Sequence, residues 1–431
     1  MDITSPDYPI WHPFSQMKDF SELPKLVSGK GVWLYDENQK PYLDAIASWW
    51  VTCHGHSHPH VAQKVYDQMM KLEHAIFAGF THEPAIELCE RLKPYLPSAD
   101  WKFFFSDNGS TSVEVALKMG IHYFTQKCDA TEVQVFAIEG AYHGDTFGAM
   151  STGERGAFSA PYDNYLFPVH FIPAPSAENL TTCLNLFEEN KGEHNLFIFE
   201  PLVQGAAGMV MHDAASLDVL LGKMKSENTI LIADEVMTGF GRLGTWFASN
   251  QFTVVPDLLC LSKALTGGAL PMSLTLAQQW LYDVFLDDKF EQAFLHGHSF
   301  TGNPVGCAAA LASLDLMEEE ETWQNIKRIE VEHQKAKVEL EKLPQLSNVR
   351  VKGSILAMEY TTSEENSYLN PVRMQLQNGF MSRGLLIRPL GNTIYLLPPF
   401  VISNEELQLC YQGIMDVVAE VSQTNAELNV C

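Results

Sequence analysis

A chain of 431 residues exceeds the length at which one hydrophobic core usually stops growing, so a large domain with a smaller companion is expected. With 46% hydrophobic and only 19% charged residues it has material for a substantial core, and the low charge hints at surface hidden in a subunit contact. The formal net charge of −25 repels nucleic-acid phosphates and anionic membrane surfaces alike, which leaves small molecules as the expected partners.

Met1 to Phe14 has neither a basic start nor an apolar stretch, and no later run approaches membrane-spanning length, so a cytoplasmic location is expected. His54, His56, His58 and His60 alternate in the manner of ligands on an extended segment. Pro59 and the helical pattern behind it point instead to a helix entrance, and no metal is expected. The eight cysteines (Cys53, Cys89, Cys128, Cys183, Cys260, Cys307, Cys410, Cys431) are scattered without a Cys-x-x-Cys pair, as reduced thiols would be.

From about Trp101 to Cys307, apolar runs alternate with helical patterns, the rhythm of a mostly parallel, buried sheet. The run Phe103 to Phe105 leads into Ser106-Asp-Asn-Gly-Ser-Thr-Ser112 and a helix with Val113, Ala116, Leu117, Gly120 and Phe124 on one face. Thr111 and Glu114 fit a capping box there, and Glu114 with Lys118 fits an i,i+4 pair. Gly109 lets the backbone approach an anion, and the amides of Gly109 and Ser110 would donate to a phosphate; an ordinary helix cap explains the same residues. Gly140-Ala-Tyr-His-Gly-Asp145 is a turn-rich loop whose Tyr142 could stack on a ring or simply pack.

Ile230-Leu-Ile-Ala-Asp-Glu-Val236 is an apolar strand that delivers Asp234 and Glu235 to its carboxyl end, where open α/β sheets place ligands. Leu258 to Leu261 is another, followed by Ser262 and Lys263 and broken at Gly267-Gly268. A lysine beside a carboxylate from a neighbouring strand is either a buried ion pair or a pair suited to an aldehyde cofactor. Desolvated lysine condenses reversibly with an aldehyde, and a carboxylate against a pyridine nitrogen keeps that nitrogen protonated. Lys263 and Asp234 suit those two roles. Gly239-Phe-Gly-Arg-Leu-Gly244 literally matches the fingerprint of a nicotinamide dehydrogenase. Thr245-Trp-Phe-Ala lacks a helical stripe, however, and Asp234-Glu235 would set negative charge beside a pyrophosphate.

After Leu311 an acidic patch, Glu318 to Glu321, leads into a charged amphipathic helix ended by Pro344, then two or three strands and a last helix. Ser403 and Glu406 form a capping-box pattern for that helix, with Leu407, Cys410, Tyr411, Ile414, Val418 and Val421 as its apolar stripe. The expected division is 1–54 as the amino-terminal part of a small domain, 55–315 as the large ligand-binding domain and 316–431 as the remainder of the small one.

Gly109-Ser110, Tyr142-His143-Gly144-Asp145, Asp234-Glu235, Lys263 and His296-Gly-His-Ser-Phe-Thr-Gly-Asn-Pro304 stand in the order found in fold-type I, class III aminotransferases, which the chain resembles essentially end to end. The resemblance implies an α/β fold: a large domain with a mostly parallel central sheet flanked by helices, and a smaller α+β domain from both termini. It implies pyridoxal phosphate as cofactor, with Lys263 and Asp234 catalytic, Gly109 and Ser110 on the phosphate and Tyr142 against the ring. Ser299 stands where the family usually has a threonine whose hydroxyl reaches the phosphate in the other subunit, which implies an obligate homodimer with shared active sites. His298 replaces a common proline beside that phosphate.

By the same resemblance Trp49, Trp50, Gly297, Arg388 and Tyr395 match positions that line the substrate cleft, and Asp145 with Arg242 would pair on its wall. Ile10-Trp-His-Pro-Phe14, Ser48-Trp-Trp50, Thr81-His-Glu-Pro-Ala85, Gly144-Asp-Thr-Phe-Gly-Ala-Met-Ser151 and Ile387-Arg-Pro-Leu-Gly391 are similar to the branch that aminates 8-amino-7-oxononanoate in biotin biosynthesis. Arg388 would then grip the far-end carboxylate, and the tryptophans would wall the methylene chain. Phe14 stands where members using S-adenosylmethionine often carry a tyrosine, which makes lysine the alternative donor. Another ω-aminotransferase of the same class, taking a diamine or ω-amino acid, is the alternative function.

Overall fold

Strands that are apolar on both faces must be covered on both faces, and a seven-stranded sheet in the computed structural model meets that demand. The structure describes residues 8–19, 23–98, 100–362 and 369–428. Met1 to Asp7 and Cys431, which figure in the expectations above, lie outside them. Across the sheet the order is Trp101–Ser106, Ser273–Gln278, Leu258–Leu261, Ile230–Asp234, Asn195–Phe199, Gln134–Ile138 and His170–Ile172. Ser273–Gln278 runs antiparallel to both neighbours, and the remaining pairs are parallel.

The two-residue period of a strand divides the core. Ile230, Ile232, Leu258 and Cys260 face one hydrophobic cluster, shared with Val113, Ala116 and Phe124 of the helix Gly109–Lys127. Leu231, Ala233, Leu259 and Leu261 face the other, with Leu217 and Leu221 of the helix Ala214–Ser226. Fully burying each Leu or Ile is worth about 1.5–3 kcal/mol, so a shift of register by one residue would forfeit many such terms at once.

The strands Leu26–Lys30, Trp33–Asp36 and Pro41–Asp44 form a second sheet, which the distant strand Leu385–Leu386 joins in parallel. Leu346–Lys352, Ile355–Tyr360 and Thr393–Leu396 make a third sheet packed against the helix Glu320–Leu340, on which the last helix, Asn404–Leu428, packs in turn. The last helix starts as expected, with Ser403 N donating to Glu406 Oε2 at 2.8 Å and Glu406 N to Ser403 Oγ at 3.1 Å. Its whole apolar stripe is buried.

Local expectations at the helix Gly109–Lys127 need correction. Its cap is Asn108, whose side chain accepts from Thr111 N at 3.1 Å while Thr111 Oγ1 accepts from Asn108 N at 3.2 Å. Glu114 pairs with neither Thr111 nor Lys118: its carboxylate accepts from Gly148 N at 2.6 Å and Ala149 N at 3.3 Å, where free amides begin the helix Phe147–Thr152. Lys118 Nζ instead lies 2.9 Å from His296 Nδ1. Cys53, Cys89, Cys128, Cys183, Cys260, Cys307 and Cys410 are free thiols. Among the described residues no helix is long and apolar enough to cross a membrane.

Candidate active site

Adjacent parallel strands bring Asp234 and Lys263 to one edge of the sheet. Asp234 stands in register with Cys260, and Lys263 follows just beyond the end of that strand. The Lys263 backbone sits at φ +47°, a left-handed conformation that a lysine keeps only when its surroundings impose it. Loss of hydration pulls its ammonium down to about 8, against the attraction of Asp234 and Glu200. Roughly a tenth of the amine is therefore neutral at pH 7, where an ordinary lysine supplies almost none. The Trp50 ring lies 4.4 Å from Lys263 Nζ.

Asp234, only 5% exposed, is held at both oxygens. Val236 N donates to Oδ1 at 3.0 Å, and His143 Nδ1 lies 2.7 Å from Oδ2, where a carboxylate requires the imidazole to be the donor. The sequence flagged His143 only as part of a loop. Glu200 was missed altogether because its motif, a strand ending in Glu-Pro, carries no distinctive spacing. It is buried and accepts from Gly205 N at 2.9 Å and Tyr142 N at 3.2 Å. Burial raises its carboxyl to about 7, with Asp234 pushing the same way and His143 opposing.

That shift has a sign. Between the ordinary carboxyl value near 4.5 and about 7 the folded protein binds a proton that the unfolded chain releases, so this group's contribution to stability falls as pH rises through the window. Glu200→Gln should flatten that dependence: the gap in thermal midpoint between variant and wild type should widen in the variant's favour from pH 4.5 to 7.5. A constant gap would show that Glu200 does not titrate there.

Around Gly109 and Gly144, where the sequence suggests an anion site, the chain packs closely. A β-carbon on Gly144, at φ +131°, would collide with Ser110 Oγ, and one on Gly109 would come within 2.8 Å of Val236 Cγ1. Ser110 Oγ accepts from Asp145 N at 3.2 Å, and Tyr142 OH donates to Asp145 Oδ2 at 2.9 Å. Burial raises the Tyr142 phenol further, so it stays a donor. These residues fit pyridoxal phosphate: amides at a helix start for phosphate, a softened lysine for the aldehyde, an oriented carboxylate for the ring nitrogen, and Tyr142 beside them.

Behind Lys263 the backbone is strained. Ala47 at φ +49°, Ser48 at φ +61° with ψ −88°, and Trp50 at φ +67° lie in the single turn Ala47–Trp50. Each such conformation costs about 1–3 kcal/mol outside glycine, so the surroundings must impose it. Asp44, wholly buried, accepts from Ser48 N at 2.7 Å and Ser48 Oγ at 3.1 Å, and His56 Nε2 lies 2.8 Å from the same oxygen. Trp50 Nε1 donates to Tyr395 OH at 3.0 Å. Tyr395 is 2% exposed and stands behind Trp50 rather than on an open wall, because a buried indole N–H needs an acceptor.

A second group gathers at the surface. Arg388 lies 4.9 Å from the Trp49 ring and donates to Phe14 O at 3.2 Å, while Phe14 meets Trp49 edge-on at 5.5 Å. Phe158, not foreseen, closes the other side of Phe14 at 5.8 Å. Gly297, His298 and Ser299 lie on a separate loop. Its middle is tied by local hydrogen bonds, from His298 N to Thr301 Oγ1 at 3.0 Å and from Phe300 N to His298 Nδ1 at 3.2 Å, while its ends meet Lys118 through His296 and Glu73 through Asn303. Nothing within the chain brings this loop to Lys263 among the described contacts.

Arg242 and Asp145 do not pair. Arg242 is wholly buried, donates to Pro398 O at 2.9 Å and Trp50 O at 3.3 Å, and lies over Phe400, whereas Asp145 is taken by Tyr142. Gly239 to Gly244 form turns, and the next helical segment is the short Ala248–Gln251, so no helix start faces a pyrophosphate there. The alternating histidines diverge: His54 to Ser313, His56 to Asp44, His60 to Asp315, with His58 preceding Pro59 at the start of the helix Pro59–Lys71.

Comparison with known proteins agrees with this geometry. Residues 19–418 match the family described as aminotransferase class-III. An adenosylmethionine-8-amino-7-oxononanoate aminotransferase from Synechococcus elongatus is 43% identical over 427 residues, covering 96% of this chain and 100% of the relative. The enzyme of that name from Geobacter sulfurreducens is 37% identical, covering 94% of each. A crystal structure of the Methanocaldococcus jannaschii enzyme of the same name superposes with TM-score 0.91 at 32% identity, over 95% of this chain and 97% of that one. A PLP-bound amine transaminase from an uncultivated Pseudomonas species gives 0.88 at 28% identity, over 96% and 98%.

Proposed function

The chain belongs to the class-III aminotransferases, and on that footing we propose that it moves an amino group onto the ketone of 8-amino-7-oxononanoate to give 7,8-diaminononanoate, a step of biotin biosynthesis. The cofactor is pyridoxal phosphate, which when bound supplies an electron sink for the carbanion at the donor's α-carbon. Lys263 would hold it between turnovers, its neutral amine condensing with the cofactor's aldehyde. Its amine, when not engaged with the cofactor, would take the proton from the donor's α-carbon and deliver it to the neighbouring cofactor carbon, and in the acceptor half-reaction would carry a proton the opposite way; its softened basicity suits both directions near neutral pH. Asp234, fixed by His143 and the Val236 amide, keeps a proton on the ring nitrogen. Gly109 and Ser110 hold the phosphate at the positive end of their helix.

The observation that carries the reaction class is Lys263, with a lowered pKa, just past the end of the strand that neighbours buried Asp234. The acceptor follows from relatives of that name across the full chain and from the surface group: the Arg388 guanidinium suits a far-end carboxylate, and Trp49 and Phe14 suit methylenes. Arg388→Ala should raise KM for the acceptor roughly 10- to 100-fold with a smaller change in the donor half-reaction, since one charge-assisted bond is worth about 1.5–3 kcal/mol. An equal loss in both half-reactions would remove Arg388 from acceptor recognition.

The donor is S-adenosylmethionine or lysine. Separate half-reactions of the holoenzyme with each, followed through the cofactor spectrum, decide between them. Turnover of a diamine and a keto acid without amination of 8-amino-7-oxononanoate would establish the other ω-aminotransferase function instead. The working form is a cytoplasmic homodimer with shared sites, in which Ser299, with Gly297 and His298, reaches the phosphate bound by the other subunit. Supporting this, Phe300 is 65% exposed, and Ile76, Phe80 and Leu295 are exposed on the same chain, an apolar load that water-facing loops seldom carry.

A further inference from the structure

We infer that Asp44 and His56 form a positioning clamp that imposes the strained Ala47–Trp50 turn and thereby sets Trp50 over the Lys263 amine and Trp49 against Arg388. The inference rests on the proposal that Lys263 is the reactive amine. Neither clamp residue touches the reacting groups; both act through the two tryptophans.

The clamp joins elements far apart in the chain. Asp44 ends the strand Pro41–Asp44, and its backbone stands in register with Leu386, close before Arg388. His56 N donates to Gly31 O at 2.6 Å, which ties the other end of the turn to the same sheet. Between these anchors Gly268, at φ +80°, packs on Thr52 so closely that a β-carbon would come within 3.0 Å of Thr52 N. Gly205 packs on Trp50 in the same way, at 2.9 Å from Cζ3. One residue, Asp44, therefore ties down the strand that leads to Arg388 through its backbone and the turn that carries both tryptophans through its side chain.

Only a side chain with two accepting oxygens meets the demand. Asp44 Oδ1 accepts from Ile46 N at 3.3 Å and Ser48 N at 2.9 Å, and Oδ2 accepts from Ser48 N, Ser48 Oγ and His56. An amide in its place would turn an N–H2 group toward donors. The turn would then relax from its positive-φ conformations, and more water would reach the half-buried Lys263.

The test uses Asp44→Asn and His56→Leu; His56, at the edge of the network, gives a variant that folds if loss of the buried carboxylate prevents folding. In apoprotein, the pH dependence of Lys263 modification by trinitrobenzenesulfonate, read on the Lys263 peptide, should move up from about 8 toward the ordinary lysine value. Asp234, Glu200 and Arg242, the charges that face the amine, are unchanged in these variants. In holoenzyme, kcat/KM for the acceptor should fall roughly 10- to 100-fold, mostly through KM, with the cofactor retained. An unmoved Lys263 titration, with activity lost only in proportion to folded protein, would overturn the clamp. Borohydride labelling of another lysine would overturn the Lys263 assignment and leave the titration as an independent test of the clamp.

Discussion

Lys263→Ala is expected to lower turnover by at least roughly 10³-fold, because both the anchor of the cofactor and the proton-transferring amine disappear, and positioned acid–base groups alone account for about 10²–10⁴. Lys263→Arg should be as inactive: it keeps the charge but cannot condense with an aldehyde. Folding should survive both changes. Lys263 enters no ion pair among those described, and its lowered pKa means that the folded state disfavours the charged amine. Between about 8 and the ordinary 10.5 the unfolded chain binds the extra proton, so this contribution improves as pH rises through that window and is least favourable below it. At pH 7 the alanine variant should therefore melt no lower than wild type. Borohydride reduction of wild-type holoenzyme should leave the cofactor on the peptide containing Lys263. Substantial turnover by Lys263→Ala would end the mechanism.

Glu235→Ala should be the costliest single change to stability near the site, by roughly 3–5 kcal/mol, although the residue adjoins Asp234 in sequence. Glu235 is wholly buried and accepts from Thr238 Oγ1 at 2.6 Å, Ala248 N at 3.0 Å and Ser249 N at 2.6 Å. Removing the carboxylate leaves three donors without an acceptor in a place water does not reach. Burial raises its own carboxyl, the expense of keeping a charge there, and the three donors offset it. Urea denaturation of apoprotein should show the loss. Asp234→Asn should instead keep most of the stability and lose turnover. Equal stability losses in the two variants would show that the neighbouring carboxylates do not divide their roles in this way.

That division has a geometric origin. Asp234 continues the series Ile230, Ile232 on the face that meets the helix Gly109–Lys127, and Glu235 continues Leu231, Ala233 on the opposite face, where it accepts from the first amides of Ala248–Gln251. In sequence the two acids look alike. Their order along the strand predicts opposite faces, but which face holds the site depends on what packs there.

What the sequence determined by itself was whatever is local or carried by a fixed order of motifs. Uninterrupted apolar runs required a buried, mostly parallel sheet, the Ser403–Glu406 pattern started the last helix, and Lys263 and Asp234 stood out as candidates because each stands at the end of such a run. Tertiary structure decided the partnerships between segments distant in the chain. Glu114 took backbone amides of another helix instead of Lys118, Arg242 took carbonyls of Trp50 and Pro398 instead of Asp145, and Glu200 joined Tyr142 and Gly205. His56, one of four look-alike histidines, found Asp44. A buried polar group takes the partner that folding brings within hydrogen-bond reach, and that choice depends on the meeting of elements that no local spacing encodes.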